Sequence, residues 1–314
     1  MFCSIIIPLY NKERFINAAL QSVLKQRHQN FEIIVVDDGS TDGGPSRVKA
    51  IQDRRIHLIQ QTNAGVSCAR NRGIEQAKGD LVCFLDADDW YLPDYLENIV
   101  SMANQYPDIP FFATSFKKST SPQSDVEMFW QNNFNSQYEL VDNFFDRWWR
   151  CPFFCACSIA IRREHLASFQ PCFPPGEQLG EDQDLYFRLV EKSSMVYCPI
   201  PLVGYRIDVE GSLCTTSDMQ LLPVYKRLEL RALHRQIPEK HRSAALRLVT
   251  EAKVTLARNL IIVGRRHDAW LELPSVRRGV ISRRWWVTLL FCAIITPALV
   301  RKWEHWRDPE KRPI

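Results

Sequence analysis

Several familiar signatures are missing from this 314-residue chain. No Gly-x-Gly-x-x-Gly follows the first apolar run, and no Gly-x4-Gly-Lys-Ser/Thr occurs anywhere. The dinucleotide fingerprint and the P-loop are thereby excluded. Paired Cys-x2-4-Cys ligands with a second pair downstream are also missing, which argues against a structural zinc site. The ten cysteines do not form a disulfide framework either. Cys3 and Cys83 lie inside strand-like apolar runs and Cys292 inside an apolar segment near the end, as thiols do when they serve as small hydrophobes in a reducing compartment. Cys151, Cys155 and Cys157 are the tightest group, with Cys172 and Cys198 further on, and we read them as packing residues. Phe2 to Pro8 is too short for a secretory leader and lacks a basic flank. There is no internal repeat and no low-complexity linker.

Composition is that of an ordinary globular protein, 46% hydrophobic and 24% charged. The net charge of +4 is unevenly spread. From Arg277 onward nine Lys/Arg face three Asp/Glu, a local +6, so the rest of the chain carries −2. The body is mildly acidic and no nucleic-acid partner is expected.

The first half alternates between two periodicities. Cys3-Ser4-Ile5-Ile6-Ile7-Pro8 reads as a buried strand, and Phe15, Ala18, Ala19 and Val23 recur at helical spacing. Phe31 to Asp38, Arg55 to Gln61, Leu81 to Leu85 and Pro110 to Phe116 read as further strands, with helices between them. The helix through Ala64–Lys78 is predicted to stop at Gly79. Strands alternating with helices of this length imply βαβ units and a mostly parallel, Rossmann-like sheet flanked by helices. Right-handed crossovers then bring the strand C-termini to one edge, where ligands bind.

Three strands end in polar residues at that edge: Pro8-Leu9-Tyr10-Asn11, Asp37-Asp38-Gly39-Ser40 and Asp86-Ala87-Asp88-Asp89. Three crowded carboxylates raise one another's pKa unless a positive charge sits among them. With no glycine cradle for phosphate, a cation held by carboxylates takes that work. Mg2+ or Mn2+ suits one or two carboxylates plus phosphate oxygens. If the chain stays extended, alternation along Asp86-x-Asp88 points both carboxylates to one side.

These segments, together with Asn63-to-Leu96 and Gly180-Glu181-Asp182-Gln183-Asp184-Leu185, resemble the inverting family-2 glycosyltransferases of GT-A fold, from about Cys3 to about Leu213. The resemblance implies a metal-dependent enzyme of hexosyltransferase type. It would move a sugar from a nucleotide-sugar, a UDP-sugar on family grounds, to a saccharide or lipid-linked saccharide in surface glycan synthesis. It implies that Pro8, Tyr10 and Asn11 line the nucleoside pocket and that Asp38 binds the base. Asp86 and Asp88 would form the DxD motif, with Asp88 the more direct ligand of Mn2+ or Mg2+. Asp182 would be the general base. Arg206 matches a position that in some relatives approaches the diphosphate, but Asp208 stands where a histidine ligand would follow.

The residues read independently agree. Inverting transfer needs a carboxylate base and a cation against the charge developing on phosphate. Gly180 precedes a helix whose N-terminus favours an ionised Asp182. Each role also has a plainer counterpart. Asp37 and Asp38 suit a turn with Gly39, Asp89 suits a turn or cap before Pro93, and Glu181 suits a cap or structural partner. Arg70 is assigned to nucleotide phosphate, although Arg70 and Arg72 also suit a solvated helix face. Trp148 and Trp149 suit the core as well as an acceptor sugar. A non-catalytic sugar-nucleotide-binding or assembly protein would need no base. A sugar nucleotidyltransferase would show a glycine-rich, basic first loop in place of Pro8 to Phe15.

The organisation predicted is 1–116 for the nucleotide-sugar half, 117–215 for the acceptor half with the base, 216–276 for a C-terminal helical extension and 277–314 for a basic, apolar tail. Trp285 to Val300 is uncharged and flanked by arginines and by Trp285, Trp286, Trp303 and Trp306, as interfacial segments are. At about 1.5 Å per residue this run falls short of the roughly 30 Å hydrocarbon core. The tail is therefore expected to lie on a membrane surface, which places the protein in the cytoplasm, peripheral on the inner face of the plasma membrane. A buried C-terminal helix is the competing reading.

Overall fold

The computed structural model describes residues 1–120, 138–207, 209, 219–273 and 282–294. Asp208, Trp303, Trp306 and residues 121–137 of the predicted acceptor half lie outside the described residues. The chain divides into two compact units, one of Met1–Phe144 with Pro152–Thr215, the other of Phe145–Cys151 with Thr216–Ile314.

The first unit begins as the sequence predicts: β1 (Cys3–Leu9), α1 (Glu13–Leu24), β2 (Phe31–Asp37), α2 (Gly44–Ala50), β3 (Ile56–Gln60), α3 (Val66–Gln76) and β4 (Leu81–Phe84). It continues through β5 (Trp90–Tyr91), α4 (Tyr95–Gln105), β6 (Phe111–Ser119), β7 (Glu139–Val141), β8 (Ile159–Arg162), α5 (Glu181–Val190) and β9 (Met195–Arg206). Helix α3 ends at Gln76, before Gly79, because Ala77 turns extended at ψ 132.

β1, β2 and β4 are buried over nearly their whole length, so both faces need apolar side chains. α1 covers one face through Ile16, Ala19, Leu20 and Val23, the i, i+3, i+4, i+7 stripe of an amphipathic helix. Among the described residues the sheet has nine strands in the order β3-β2-β1-β4-β8-β6-β9-β5, with β7 beside β9. The β3-β2-β1-β4 pairs are parallel, which brings the C-terminal ends of these strands to one edge. β8 inserts antiparallel between β4 and β6, and β9 runs parallel to β6. The two-residue β5 pairs with the end of β9, Trp90 opposite Gly204. A Cβ on Gly204 would stand 2.0 Å from the Trp90 indole, so only glycine admits that ring.

The second unit is helical: α6 (Pro223–Leu233), α7 (Glu239–Ile262), α8 (Arg266–Glu272) and α9 (Arg283–Ile294). Its core joins Val254, Ala257, Leu260 and Ile261 of α7 to Phe291 and Cys292 of α9. Arg258 Nε donates to Thr288 Oγ1 at 2.7 Å, and the Trp285 indole N–H donates to the Leu273 carbonyl at 3.1 Å. One face of the predicted surface segment is thus part of a core. Trp286, 59% exposed, and Leu290, 49% exposed, lie outside it. No described helix is long and apolar enough to cross a membrane. Trp148 is buried, as the core reading of that residue expects.

Candidate functional site

Two loops at the sheet edge are tied together before any ligand is considered. Asn11 adopts φ 51, a left-handed conformation that Asn tolerates better than most residues. Its amide donates to Ser40 Oγ at 3.1 Å, and its side-chain oxygen accepts from Thr41 N at 2.8 Å. Asp37 binds Ser40 N and the Gln60 side chain. Asp38 is buried and accepts from Gln61 Nε2 at 2.8 Å, Ala64 N at 2.9 Å and Gly65 N at 2.8 Å. It therefore organises the loop before α3 and is not a simple turn residue. Tyr10 stands exposed beside this floor, and Pro8 is half-buried within β1.

The third loop corrects one expectation. Asp86 to Asp89 is not extended: Asp89 N donates to the Asp86 carbonyl at 3.0 Å and the chain turns through Ala87 and Asp88. The turn sends the carboxylates in different directions. Asp88 meets Lys12 Nζ at 2.6 Å. Asp86 meets Arg70 Nη2 at 2.9 Å. Asp89 turns inward, where it accepts from Arg206 N at 2.7 Å and from the Cys157 thiol at 2.9 Å. Burial, then the Asp86 and Asp88 charges, push its pKa well above the usual carboxylate range. Asp89 thus ties β9 to the turn and is not a helix cap.

Arg70 is the centre of the site. It is 4% exposed and faces two carboxylates, Asp86 on one amino group and Glu181, at 2.7 Å, on the other. Its guanidinium lies 5.3 Å from the Phe173 ring centroid. Ser67 and Asn71, at i−3 and i+1, share this helix face and bind the incoming segment: Ser67 Oγ to the Glu177 carbonyl, Asn71 to both the amide and the carbonyl of Phe173. That segment enters α5 through Gly180, whose φ of 78 suits glycine. Arg72, by contrast, is exposed and pairs with Glu75 at 2.9 Å.

α5 therefore begins inside the site. Asp182 Oδ1 accepts from Gln183 N at 2.7 Å, and Tyr186 Oη lies 3.3 Å from Oδ2, so its own helix orients the carboxylate. The helix start favours an ionised Asp182, as the sequence suggests, but only through the weaker pull of Gln183 N. Burial dominates and raises the Asp182 pKa against the opposing pull of Arg70. Burial, with the Asp182 charge beside it, pushes Glu181 up to about 7. Asp184 points away and pairs with Arg188 at 2.8 Å.

Arg206 is committed to protein atoms. Its Nε donates to the Asp88 carbonyl at 2.8 Å and one amino group to the Thr120 carbonyl at 2.7 Å, with the guanidinium over Phe15 and Trp90. It braces the carboxylate turn from behind.

Two donor sets compete for a cation. Asp86, Asp89 and Cys157 offer ligand atoms within 4.8 Å of one another. Asp89 and Cys157, however, already bind each other in the interior, and burial raises the thiol pKa. Asp86 and Asp88 lie at the rim, their side chains 30% and 19% exposed, each with one oxygen engaged by a basic residue. Two partly solvated carboxylates fit Mg2+ or Mn2+, which keep several waters and take phosphate oxygens as further ligands.

The residues that sequence reasoning missed are Lys12, Ser67, Asn71, Asp89 as an internal tether, Cys157 and Tyr186. Only the first α3 face carried a signal: Ser67, Arg70 and Asn71 recur at helical spacing on a side that is buried.

The model of the family described as Glycosyl transferase family 2 matches residues 4–169. EpsH of Bacillus subtilis is 31% identical over 216 residues, covering 66% of this chain and 61% of EpsH. Glycosyltransferase GlyA of Streptococcus pneumoniae is 41% identical over 105 residues, 33% of this chain and 15% of GlyA. The chain thus spans less than two thirds of either relative. Among solved structures, Staphylococcus aureus TarS 1–349 with UDP-GlcNAc superposes with a TM-score of 0.72 at 20% identity, over 98% of this chain and 92% of that one. The mannosyltransferase PcManGT of Pyrobaculum calidifontis, with GDP-Man and Mn2+, gives 0.54 at 20% identity over 96% and 82%.

Proposed function

The chain belongs to glycosyl transferase family 2 and has the GT-A fold, and from that premise we propose that it is a metal-dependent, inverting glycosyltransferase. It takes the sugar of a nucleotide-sugar, a UDP-sugar by preference, and passes it to a hydroxyl of a saccharide or lipid-linked saccharide acceptor in surface glycan synthesis. The observation that carries this reading is the Arg70 bridge. It joins Asp86, on the carboxylate turn, to Glu181, next to Asp182, so the expected donor and base residues share one site.

In this reading Asp38 and the loop it organises receive the base, with Tyr10, Asn11 and Pro8 beside it. Asp86 and Asp88 would hold Mn2+ or Mg2+, which when bound would supply positive charge against the departing diphosphate. Asp182 accepts the proton of the attacking hydroxyl as that oxygen closes on the anomeric carbon from the side opposite the diphosphate. Tyr186 and the start of α5 keep the carboxylate aimed. Arg70 keeps the Glu181–Asp182 pair from becoming too basic to release the proton, and supplies positive charge that the crowded carboxylates require. Arg206 holds the turn that presents Asp88.

We place the protein on the cytoplasmic face of the plasma membrane as a peripheral protein. Trp286, Leu290 and the exposed Arg283 at the start of α9 support that reading. Incubating the purified chain with a panel of nucleotide-sugars and following slow donor hydrolysis tests the function. Hydrolysis of one uridine donor above the rest, lost in EDTA, is expected. Equal inertness toward all donors would contradict it.

A further inference from the structure

Lys12 is the residue of this site that no role above uses. Its ammonium lies 2.6 Å from Asp88 Oδ2, and Asp88 is its one hydrogen-bond partner among the described residues. The contact joins residues 76 positions apart and sits at the rim, with side chains 22% and 19% exposed. Its backbone is fixed, since the Lys12 carbonyl accepts from Phe15 N at 3.0 Å and from Ile16 N at 3.1 Å where α1 begins. The side chain is a flexible four-carbon stem carrying a point charge.

The two arginines nearby cannot play the same part. Arg70 is held by two carboxylates and Arg206 by two carbonyls and two rings. Lys12 is held by one hydrogen bond, with the Phe15 ring centroid 5.9 Å from its ammonium, so among these three cations it is the one that can leave without dismantling the fold. A divalent ion approaching Asp88 meets that ammonium on the same carboxylate. Two cations so close repel, and the side chain on the soluble tether yields.

We propose that Lys12 is a displaceable counter-cation. In the free chain it occupies the Asp88 carboxylate; when a divalent ion takes that carboxylate, the ammonium swings out to bind the donor diphosphate. This inference rests on the metal-dependent reading above. It makes Lys12 a residue that weakens the bare metal site and strengthens donor binding. A merely structural ion pair would do neither.

The test measures Mn2+ binding by the EPR signal of the free ion, and UDP binding by calorimetry with and without EDTA. Wild type, Lys12→Met and Asp88→Asn are compared, with far-UV circular dichroism to establish folding. Without nucleotide, Lys12→Met should bind Mn2+ about 2- to 5-fold more tightly than wild type, the scale of a partly exposed ion pair. With Mn2+ saturating, it should bind UDP about 10-fold more weakly, the scale of one charge-assisted hydrogen bond, and with EDTA present it should bind UDP about as wild type does. Mn2+ affinity equal to or below that of wild type, in a folded Lys12→Met chain whose Asp88→Asn counterpart has lost Mn2+, overturns the displaceable role and leaves the metal reading standing. Mn2+ binding that survives in Asp88→Asn contradicts the metal reading and the Lys12 role with it.

Discussion

Arg70 Nη1 stands 2.7 Å from Glu181 Oε1, joining two residues 111 positions apart in the chain. The same guanidinium reaches Asp86, so one buried side chain ties the carboxylate turn after β4 to the start of α5.

Replacing Arg70 tests that tie. Arg70→Met leaves two carboxylates facing each other without a cation. Breaking a buried pair in this way costs about 3–5 kcal/mol. Thermal unfolding should shift down accordingly, and donor hydrolysis should fall with it. Arg70→Lys restores the charge but not the two-pronged geometry, so it should recover more stability than activity. Equal recovery of both would show that charge alone suffices.

Acidity of the base gives a second prediction. Burial raises Asp182, and Glu181 beside it reaches about 7. A carboxylate base works only when ionised, so activity is lost as pH falls through the raised folded pKa. The acid limb of kcat/KM should therefore lie above the ordinary carboxylate range of about 4. Glu181→Gln removes a neighbouring negative charge and leaves Arg70 facing Asp182, which lowers the Asp182 pKa. Its acid limb should move to lower pH. A limb unmoved by that change would detach Glu181 from the base.

Asp38→Ala removes the acceptor for Gln61, Ala64 N and Gly65 N. A hydrogen bond to a charged acceptor is worth about 1.5–3 kcal/mol, less where water can replace it, and the loop before α3 should loosen. Donor KM should rise more than kcat falls, since a base contact is made equally in ground and transition states. A fall in kcat alone would put Asp38 at the reacting carbon.

α9 packs one face, through Phe291 and Cys292, into a core. A chain stopped at Leu273 loses the Phe291 and Cys292 packing and the Arg258–Thr288 bond, so it should aggregate. The exposed side is the one to alter. Trp286→Ser with Leu290→Ser should keep the melting temperature and reduce pelleting with anionic liposomes several-fold. Unchanged pelleting would remove α9 from any membrane contact.

Much of the donor half was legible because its strands are buried on both faces and end abruptly in acid, as Phe31–Asp37 and Leu81–Phe84 do. Asp38, Asp86, Asp88 and Asp182 could be picked out at those ends and at a helix start. What was not legible depends on pairings distant in sequence. β8 is four residues long and lies antiparallel between strands that follow one another in the alternating pattern. The inward turn of Asp89 depends on the end of β9 and on Cys157. Helix-terminus reasoning is local: Gln183 N does pull Asp182 down, but burial, which comes from the fold, outweighs it.

Asp182→Asn tests the central claim most directly, because it keeps the shape of the side chain and removes its ability to take a proton. Donor affinity by calorimetry and transfer rate are to be measured on the same protein, with the donor identified by the panel. Turnover should fall by about 10²–10⁴ while donor affinity stays near that of wild type. Turnover retained within a few-fold, or donor binding lost together with turnover, would contradict the assignment of Asp182 as the base.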